Sequence, residues 1–378
     1  MKQAAERGAD TQRLVFLDGV RGLAAIAVLL YHFTLGGAFP IARMGYFAVD
    51  LFFCLSGFIL ARTYQRRLSE GMPASQFMLR RFIRLYPLYF AGLAIGFVAL
   101  CLKSAANETD YSAADLFGAL RNNLIFLPWF NDRTIVTFGY RARGALFPEN
   151  VAAWSLFFEL AVNIVFAYCA SLGRKYLVAL VAASLLAYLA YMMTFGAQPG
   201  WAASNFWGGA PRVLYGFFAG VAVHEALRHR EGALGELKIS RASGLFQALA
   251  LSVLLIWLFS QPFILAYPLG LLLAPFIVLV GARIEVGGGP ARFCSLLGWL
   301  SYPLYCLHWP IFSLVTTLAN ARGDSTASPF VIGVALLATL VAAVCLTLWF
   351  EEPTRRMLSA LLLRRAGGVS SEADVAAR

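Results

Sequence analysis

Apolar residues occur along this chain in runs of about 20, separated by short segments that carry charge, glycine or proline. One run of this length lets an α-helix cross the hydrocarbon core of a bilayer, where backbone polar groups must pair within the helix. The pattern therefore predicts an all-α fold, a polytopic membrane helix bundle. Ten transmembrane helices are expected, at residues 14–35, 44–62, 82–102, 152–170, 176–194, 207–225, 243–260, 263–281, 296–319 and 329–350.

The charged loops predict which way the bundle faces. Cytoplasmic loops of membrane proteins are enriched in lysine and arginine. With the N-terminus inside, most of the 31 lysine and arginine residues fall on the cytoplasmic side, and both termini are cytoplasmic. The predicted domains are a disordered tail at 1–13, a membrane-embedded domain at 14–356 and a C-terminal tail at 357–378.

Composition excludes a soluble protein and changes how the net charge is interpreted. The chain is 60% hydrophobic and 13% charged, which is too apolar for a soluble domain. Its net charge of +11 is expected to face the anionic inner leaflet, so no nucleic-acid partner is predicted. No two of the six cysteines stand at a metal-binding spacing, and no metal is expected.

The first predicted span contains one arginine and one histidine. Arg21 and His32 are separated by roughly 16 Å along one helix, so they cannot pair with each other. Ionisable groups at membrane depth are costly and usually mark function. A second interpretation of His32 is a hydrogen-bonded packing residue.

The second span supplies a carboxylate at a similar predicted depth. Asp50 is expected in the outer half of its helix, where the imidazole of His32 is the nearest candidate partner. A His–Asp pair fixes the tautomer of a general base and raises its basicity. The alternative is that Asp50 caps its helix or pairs with Arg43.

Two further arginines are expected at the cytoplasmic end of the third span. Arg81 and Arg84 are three residues apart and share one helix face. Positive-inside anchoring explains many such runs, but Arg84 lies deeper than an anchor requires. The pair is therefore a candidate site for phosphate groups that arrive from the cytoplasm.

The later spans and the longest outer segment add candidates. Residues 103–151 are long enough to help receive a substrate on the outer face. Glu159 is predicted in the outer half of the fourth span, either in the site or in a structural ion pair with Arg212. His308 lies near the middle of the ninth span, where two prolines are expected to bend or open the helix.

Six short motifs follow one another along the chain. They are Asp18-Gly19-Val20-Arg21-Gly22 with His32, Val49-Asp50-Leu51-Phe52-Phe53 with Ser56-Gly57-Phe58, Arg81 with Arg84, Trp154-Ser155 with Glu159, Ser301-Tyr302 with Tyr305 and His308, and Glu352-Pro353. Together they resemble the acyltransferase 3 family, bacterial membrane O-acyltransferases of surface-polysaccharide sugars and related acceptors. The resemblance covers residues 14 to about 356. One departure is Phe157, where family members more often have a second serine.

The resemblance implies that His32 and Arg21 are essential and that Arg81 and Arg84 are important. The three arginines are expected to bind the phosphates of acetyl-CoA or another acyl-CoA donor. His32, oriented by Asp50, is expected to deprotonate an acceptor hydroxyl that attacks the thioester near Glu159. Transient acylation of His32 is the alternative mechanism. The remaining candidates for substrate contact or support are Ser56, Trp154, Ser155, Arg212, Tyr305 and His308.

The predicted function is transfer of an acyl group, acetyl first, from cytoplasmic acyl-CoA to a hydroxyl of a surface or exported glycan. The expected acceptor is a glycan or lipid-linked sugar, and the expected location is the bacterial inner membrane, with the lipid bilayer as partner. One alternative is an O-acyltransferase that acts on a small hydroxylated metabolite. Another is a secondary transporter with a proton relay, which the absence of visible paired repeats disfavours.

Overall fold

The computed structural model describes residues 14–35, 40–137, 140–196, 198–234, 241–261 and 263–363. The predicted tail at 1–13 lies outside the described residues, as does residue 364 onward. Residues 352–363, at the end of the described chain, are helical and continue past residue 356, where the membrane-embedded domain was expected to end.

Every predicted span coincides with a helix in the described part of the chain. The helices are α1 (Val15–Thr34), α2 (Ala48–Leu60), α3 (Ala74–Ala105), α4 (Ala113–Leu124), α5 (Trp154–Cys169), α6 (Arg174–Phe195), α7 (Gly209–Leu234), α8 (Arg241–Ser260), α9 (Phe263–Gly281), α10 (Gly288–Ala321), α11 (Pro329–Leu346) and α12 (Glu352–Leu358). Short helical turns are Gly45–Phe47, Ala61–Gln65, Arg66–Ser69, Val151–Ala153, Ala203–Gly208, Thr347–Glu351 and Ser359–Leu363. Helices α4 and α12 are additions to the ten expected.

Several of these helices are long and apolar enough to cross a membrane. Among the described residues, six segments meet that requirement: Val15–Thr34, Gly45–Ser69, Ala74–Ala105, Val151–Cys169, Arg174–Phe195 and Pro329–Leu363. They support an all-α membrane bundle. The count of ten spans and the cytoplasmic position of both termini stay predictions.

Helix α1 packs closely against α10, and glycines make this contact possible. A Cβ added at Gly19 would lie 2.7 Å from the sulfur of Cys294, and one added at Gly22 would overlap the backbone of Leu297. Because small residues let helix backbones approach, they are favoured where helices pack inside a membrane. The glycines on either side of Arg21 thus place this arginine directly against α10.

The segment between α3 and α5 contains more structure than the expected outer loop. Helix α4 begins with a capping box in which Ser112 and Asp115 bond each other's backbone amides. A two-stranded antiparallel hairpin follows, β1 (Thr134–Thr137) with β2 (Tyr140–Arg143), in which Thr134 faces Arg143. The ammonium of Lys103 lies 3.2 Å from Glu108 and donates to the carbonyl of Val136, so it joins the hairpin to the end of α3.

Helix α10 contains Pro303 and Pro310, the two prolines expected to bend it, yet it runs without interruption from Gly288 to Ala321. Proline has no N–H, so Pro310 cannot donate to the carbonyl of Cys306 in the preceding turn. The side-chain amide of Asn150 donates to that carbonyl instead, at 2.9 Å. A residue just before α5 therefore supplies the hydrogen bond that Pro310 cannot donate, two residues from His308.

Candidate active site

The functional residues line two cavities inside the bundle. The histidine cavity is bordered by His32, Trp154, Arg212 and Trp309, among others. The arginine cavity is bordered by Arg21, Ser56, Arg81, Arg84 and Glu159, among others. Val49 and Tyr305 border both cavities, so these two side chains lie between the two spaces.

His32 faces a second histidine. Its Nδ1 lies 3.1 Å from Nε2 of His308, and the two rings stack with centroids 5.0 Å apart. Nδ1 of His308 lies 2.9 Å from the carbonyl oxygen of Tyr305 and 3.1 Å from that of Leu304. Because a carbonyl only accepts, Nδ1 of His308 carries the proton.

The tautomer of His308 determines which nitrogen of His32 is basic. A neutral ring has one donor and one acceptor nitrogen, so Nε2 of a neutral His308 accepts. Nδ1 of His32 is then the donor in the bond between the two rings. The lone pair of His32 is left on Nε2, the nitrogen that a general base would use.

Asp50 binds Arg212 rather than His32. Both carboxylate oxygens of Asp50 accept hydrogen bonds from the guanidinium, at 2.8 and 2.7 Å, and both side chains are buried. Arg212 also stacks over the ring of Trp154, with its central carbon 5.1 Å from the ring centroid. The expected His32–Asp50 pair is thus replaced by a His–His pair, and Asp50 supports the wall of the histidine cavity through Arg212.

Glu159 lies with the arginines. The guanidinium of Arg81 is 2.7 Å from one carboxylate oxygen of Glu159, and the hydroxyl of Ser56 donates to the same oxygen at 3.0 Å. The predicted alternative pairing with Arg212 is not the one observed. Glu159 therefore belongs to the arginine cavity, whereas it was expected beside His32.

The other two arginines of this cavity also have partners. Arg21 donates to the hydroxyl of Ser301 at 2.9 Å and lies 3.4 Å from Asp18. Arg84 lies 2.6 Å from Glu351 and stacks over the ring of Tyr302. The structure thus brings Arg21, Arg81 and Arg84 to one cavity, and each has an acidic side chain within 4 Å.

One partner of these arginines was missed by the sequence reasoning. Glu351 is buried and contacts both Arg84 and Arg355, the latter at 3.1 Å. Its signal was a carboxylate at the end of the last span followed four residues later by an arginine, a spacing that favours an ion pair on a helix. Nothing in that signal pointed to Arg84 in α3.

The two hydroxyls between the cavities bond each other. Ser155 Oγ lies 2.6 Å from the hydroxyl of Tyr305, and each of the two hydroxyls is 3.1 Å from the carbonyl oxygen of Ala152. The ring of Phe52 meets that of Tyr305 edge to face, with centroids 5.4 Å apart. Tyr305 is therefore held at its hydroxyl and at its ring.

Residues 14–349 match a family model described as an acyltransferase domain. The chain belongs to the acyltransferase 3 family. It is an acyltransferase and a multi-pass membrane protein, as the motifs and the apolar helices predicted. Membership in this family favours the enzyme over the transporter.

Individual relatives agree with this assignment. The chain is 40% identical to "Protein 2 in picA locus" of Rhizobium radiobacter over 166 residues, 41% of this chain and 82% of that protein. It is 26% identical to acyltransferase MdmB of Streptomyces mycarofaciens, with 92% of each chain covered. A shorter match, 36% identical over 81 residues, is to peptidoglycan O-acetyltransferase OatA of Listeria monocytogenes, and it covers 21% of this chain and 12% of OatA. No solved structure matches the chain.

Proposed function

We propose that the protein transfers an acyl group, acetyl first, from acyl-CoA on the cytoplasmic side to a hydroxyl of a surface or exported glycan. The observation that carries this proposal is that the two cavities are neighbours and share Val49 and Tyr305 in their linings. One cavity offers arginines for a phosphorylated donor, and the other offers a base for an acceptor hydroxyl. The bacterial inner membrane is the location at which both substrates are within reach.

The arginine cavity suits the phosphates of CoA. A guanidinium has five N–H donors, so one carboxylate partner does not exhaust it. Nε of Arg81, for example, is buried and has no hydrogen-bond partner among the described residues. Arginine also keeps its charge under all physiological conditions, which favours an anionic donor. We expect the phosphates to bind beside the arginines and the pantetheine arm to point toward Tyr305.

The histidine cavity supplies the chemistry. Nε2 of His32 takes the proton from the acceptor hydroxyl, and the hydroxyl oxygen attacks the carbonyl carbon of the thioester. The new C–O bond forms, the C–S bond breaks, and the proton passes from His32 to the leaving CoA thiolate. His308 holds His32 in the tautomer that this step needs, and Arg212 with Asp50 stabilises the adjacent wall.

The acceptor is proposed as a glycan because of the family resemblance and the printed activity of one relative, peptidoglycan O-acetylation. The histidine cavity is rimmed by aromatic side chains, including Trp154, Trp201 and Trp309. Aromatic rings provide large apolar faces while their polar edges bond to hydroxyl-bearing ligands. These features fit a sugar and also fit a smaller hydroxylated acceptor, which the experiment below separates.

The proposed function is tested on surface glycans of a strain that lacks the gene. The strain is complemented with the wild type, with His32→Ala or with His229→Ala, and glycans are compared by mass. His229 is a matched control because its side chain is 59% exposed and pairs with Glu225 away from both cavities. We expect an acetyl-sized ester to return with the wild type and with His229→Ala and to be absent with His32→Ala. Identical glycans in all strains would contradict a glycan acceptor and would direct the search to small hydroxylated molecules.

A further inference from the structure

We propose that Val49 and Tyr305 select the width of the acyl group, so that the protein accepts unbranched donors and rejects those branched next to the carbonyl. This inference rests on the proposed function, because it concerns the route of a thioester from the arginine cavity to His32. It adds a specificity-determining pair to the residues that perform the transfer.

The proposed route between the cavities passes the side chains that both linings share. Of the residues that line the cavities in the described part of the chain, Val49 and Tyr305 are the ones common to both. A donor held at the arginines must bring its acyl end past them to reach His32. The acyl carbons beyond the carbonyl therefore pass Val49 and Tyr305 before the carbonyl does.

Tyr305 forms the rigid side of the proposed opening between the cavities. Its hydroxyl bonds Ser155 and the carbonyl of Ala152, and its ring packs against Phe52. It lies one helical turn before His308, with the two ring centroids 5.8 Å apart. The opening is thus adjacent to the histidine pair, and a carbonyl that has passed Tyr305 has reached the reacting groups.

Val49 forms an apolar side of the same proposed opening. It is 6% exposed, and its neighbour in the chain, Asp50, is bound at both oxygens by Arg212, which holds this turn of α2 in place. With Tyr305 and α2 both fixed, the two methyl groups of Val49 set the width of the opening. A β-branched side chain has little rotamer freedom with which to make room.

Width discriminates between acyl groups of equal size. A linear chain such as acetyl or butyryl is about as narrow as the pantetheine arm that follows it, whereas isobutyryl has two methyl groups on the carbon next to the carbonyl. Close-packed interiors do not give way to an extra methyl without cost. Isobutyryl should therefore be excluded more strongly than butyryl, although the two have the same composition.

The test uses the full-length protein purified in detergent, with deacylated surface glycan from the gene-deletion strain as acceptor. Acetyl-CoA, butyryl-CoA and isobutyryl-CoA are supplied separately, and the acids released from the glycan by mild base are quantified. We expect Val49→Ala to raise the isobutyryl-to-acetyl ratio by about tenfold, the effect of one or two methyl groups in an apolar pocket. The butyryl-to-acetyl ratio should change less.

Val28→Ala is the matched control. Val28 is a buried valine that borders the histidine cavity and not the opening, and it undergoes the same truncation. We expect this variant to keep the wild-type ratios. Val49→Ile provides a second variant, expected to lower the isobutyryl-to-acetyl ratio further and to retain the packing of a β-branched side chain.

The outcomes separate the inference from the proposed function. If the wild type transfers acetyl but Val28→Ala raises isobutyryl transfer as much as Val49→Ala, selection occurs in the histidine cavity and the inference is wrong. Equal gains for butyryl and isobutyryl in Val49→Ala would also overturn it, since length rather than width would be selected. If the wild type transfers no acetyl from acetyl-CoA, the proposed donor itself is wrong.

Discussion

At the scale of single residues, the embedded ionisable groups of the site occur in pairs. Arginine contacts carboxylate in both cavities, and His32 contacts His308. Pairing reduces the cost of keeping an ionisable group away from water. The pairs also assign different roles, since the arginine–carboxylate contacts shape the cavities while His32 keeps a nitrogen for proton transfer.

His308 is predicted to act as a positioning residue for His32. We expect His32→Ala to lower acyl transfer by about 10² to 10⁴-fold, as for loss of a general base, and His308→Ala to lower it by less. In His308→Gln an amide oxygen replaces the accepting nitrogen, so part of the activity should return. Initial rates with acetyl-CoA measure this series. A glutamine variant no better than the alanine variant would argue that His308 contributes packing alone.

The Asp50–Arg212 pair is predicted to matter for stability as well as for shape. Arg212→Met leaves the buried carboxylate of Asp50 without its bidentate partner, which should cost about 3–5 kcal/mol of unfolding free energy. Asp50→Asn combined with Arg212→Met removes both charges and should recover part of that loss. Denaturation in detergent, followed for the two single variants and the double variant, measures the coupling. If the loss of unfolding free energy in the double variant equals the sum of the losses in the two single variants, the predicted coupling between Asp50 and Arg212 is contradicted.

Glu149 is predicted to make stability depend on pH. The residue is buried, neither of its carboxylate oxygens has a hydrogen-bond partner among the described residues, and burial raises the pKa of its carboxyl to about 8. Between the ordinary pKa, 4.5, and about 8, the unfolded state releases this proton while the folded state retains it. Stability should therefore fall as pH rises from 5 to 8.

The variant Glu149→Gln isolates this effect, because it cannot ionise. Its midpoint of thermal unfolding should fall less between pH 5 and 8 than that of the wild type. Glu70→Gln is the control, since Glu70 is exposed and pairs with Arg66 on the surface. If the unfolding midpoint of Glu149→Gln falls with pH as steeply as that of the wild type, another group causes the pH dependence.

At the scale of elements, the contact between α1 and α10 determines where the first motif lies. Gly22→Ala would force a Cβ into the backbone of Leu297. Overpacking of this kind costs about 1–3 kcal/mol and should also displace Arg21. Gly333→Ala in α11 is the matched control, because nothing lies within 4 Å of its added Cβ. Thermal stability and acyl transfer of the two variants test this, and equal stabilities would contradict the close packing.

At the scale of the whole molecule, a ten-span topology is predicted, with both termini in the cytoplasm. A fluorescent protein that matures only in the cytoplasm, fused after residue 378, should fluoresce, and an alkaline phosphatase fused there should be inactive. The same pair of reporters fused after Ser325, in the predicted outer loop between α10 and α11, should give the opposite result. An active phosphatase at the C-terminus would mean that one span is missing or added.

Much of the architecture could be predicted from the sequence. A bilayer offers no water to unpaired backbone groups, so an apolar run of about 20 residues has little alternative to a helix. For this reason a helix lies at each expected span in the described residues, while α4 and the hairpin, outside the apolar runs, were not anticipated. The motifs also identified the family correctly.

The partners of the ionisable residues were decided by the tertiary structure. Position along a helix predicts depth in the membrane but not the direction of a side chain around the helix axis, nor which helices are neighbours. Asp50 was therefore matched to His32 by depth, whereas packing of α7 beside α2 gives it Arg212. Arg84 meets Glu351 across 267 positions of sequence, a pairing that only the packed bundle could create because no local pattern joins α3 to the end of the last span.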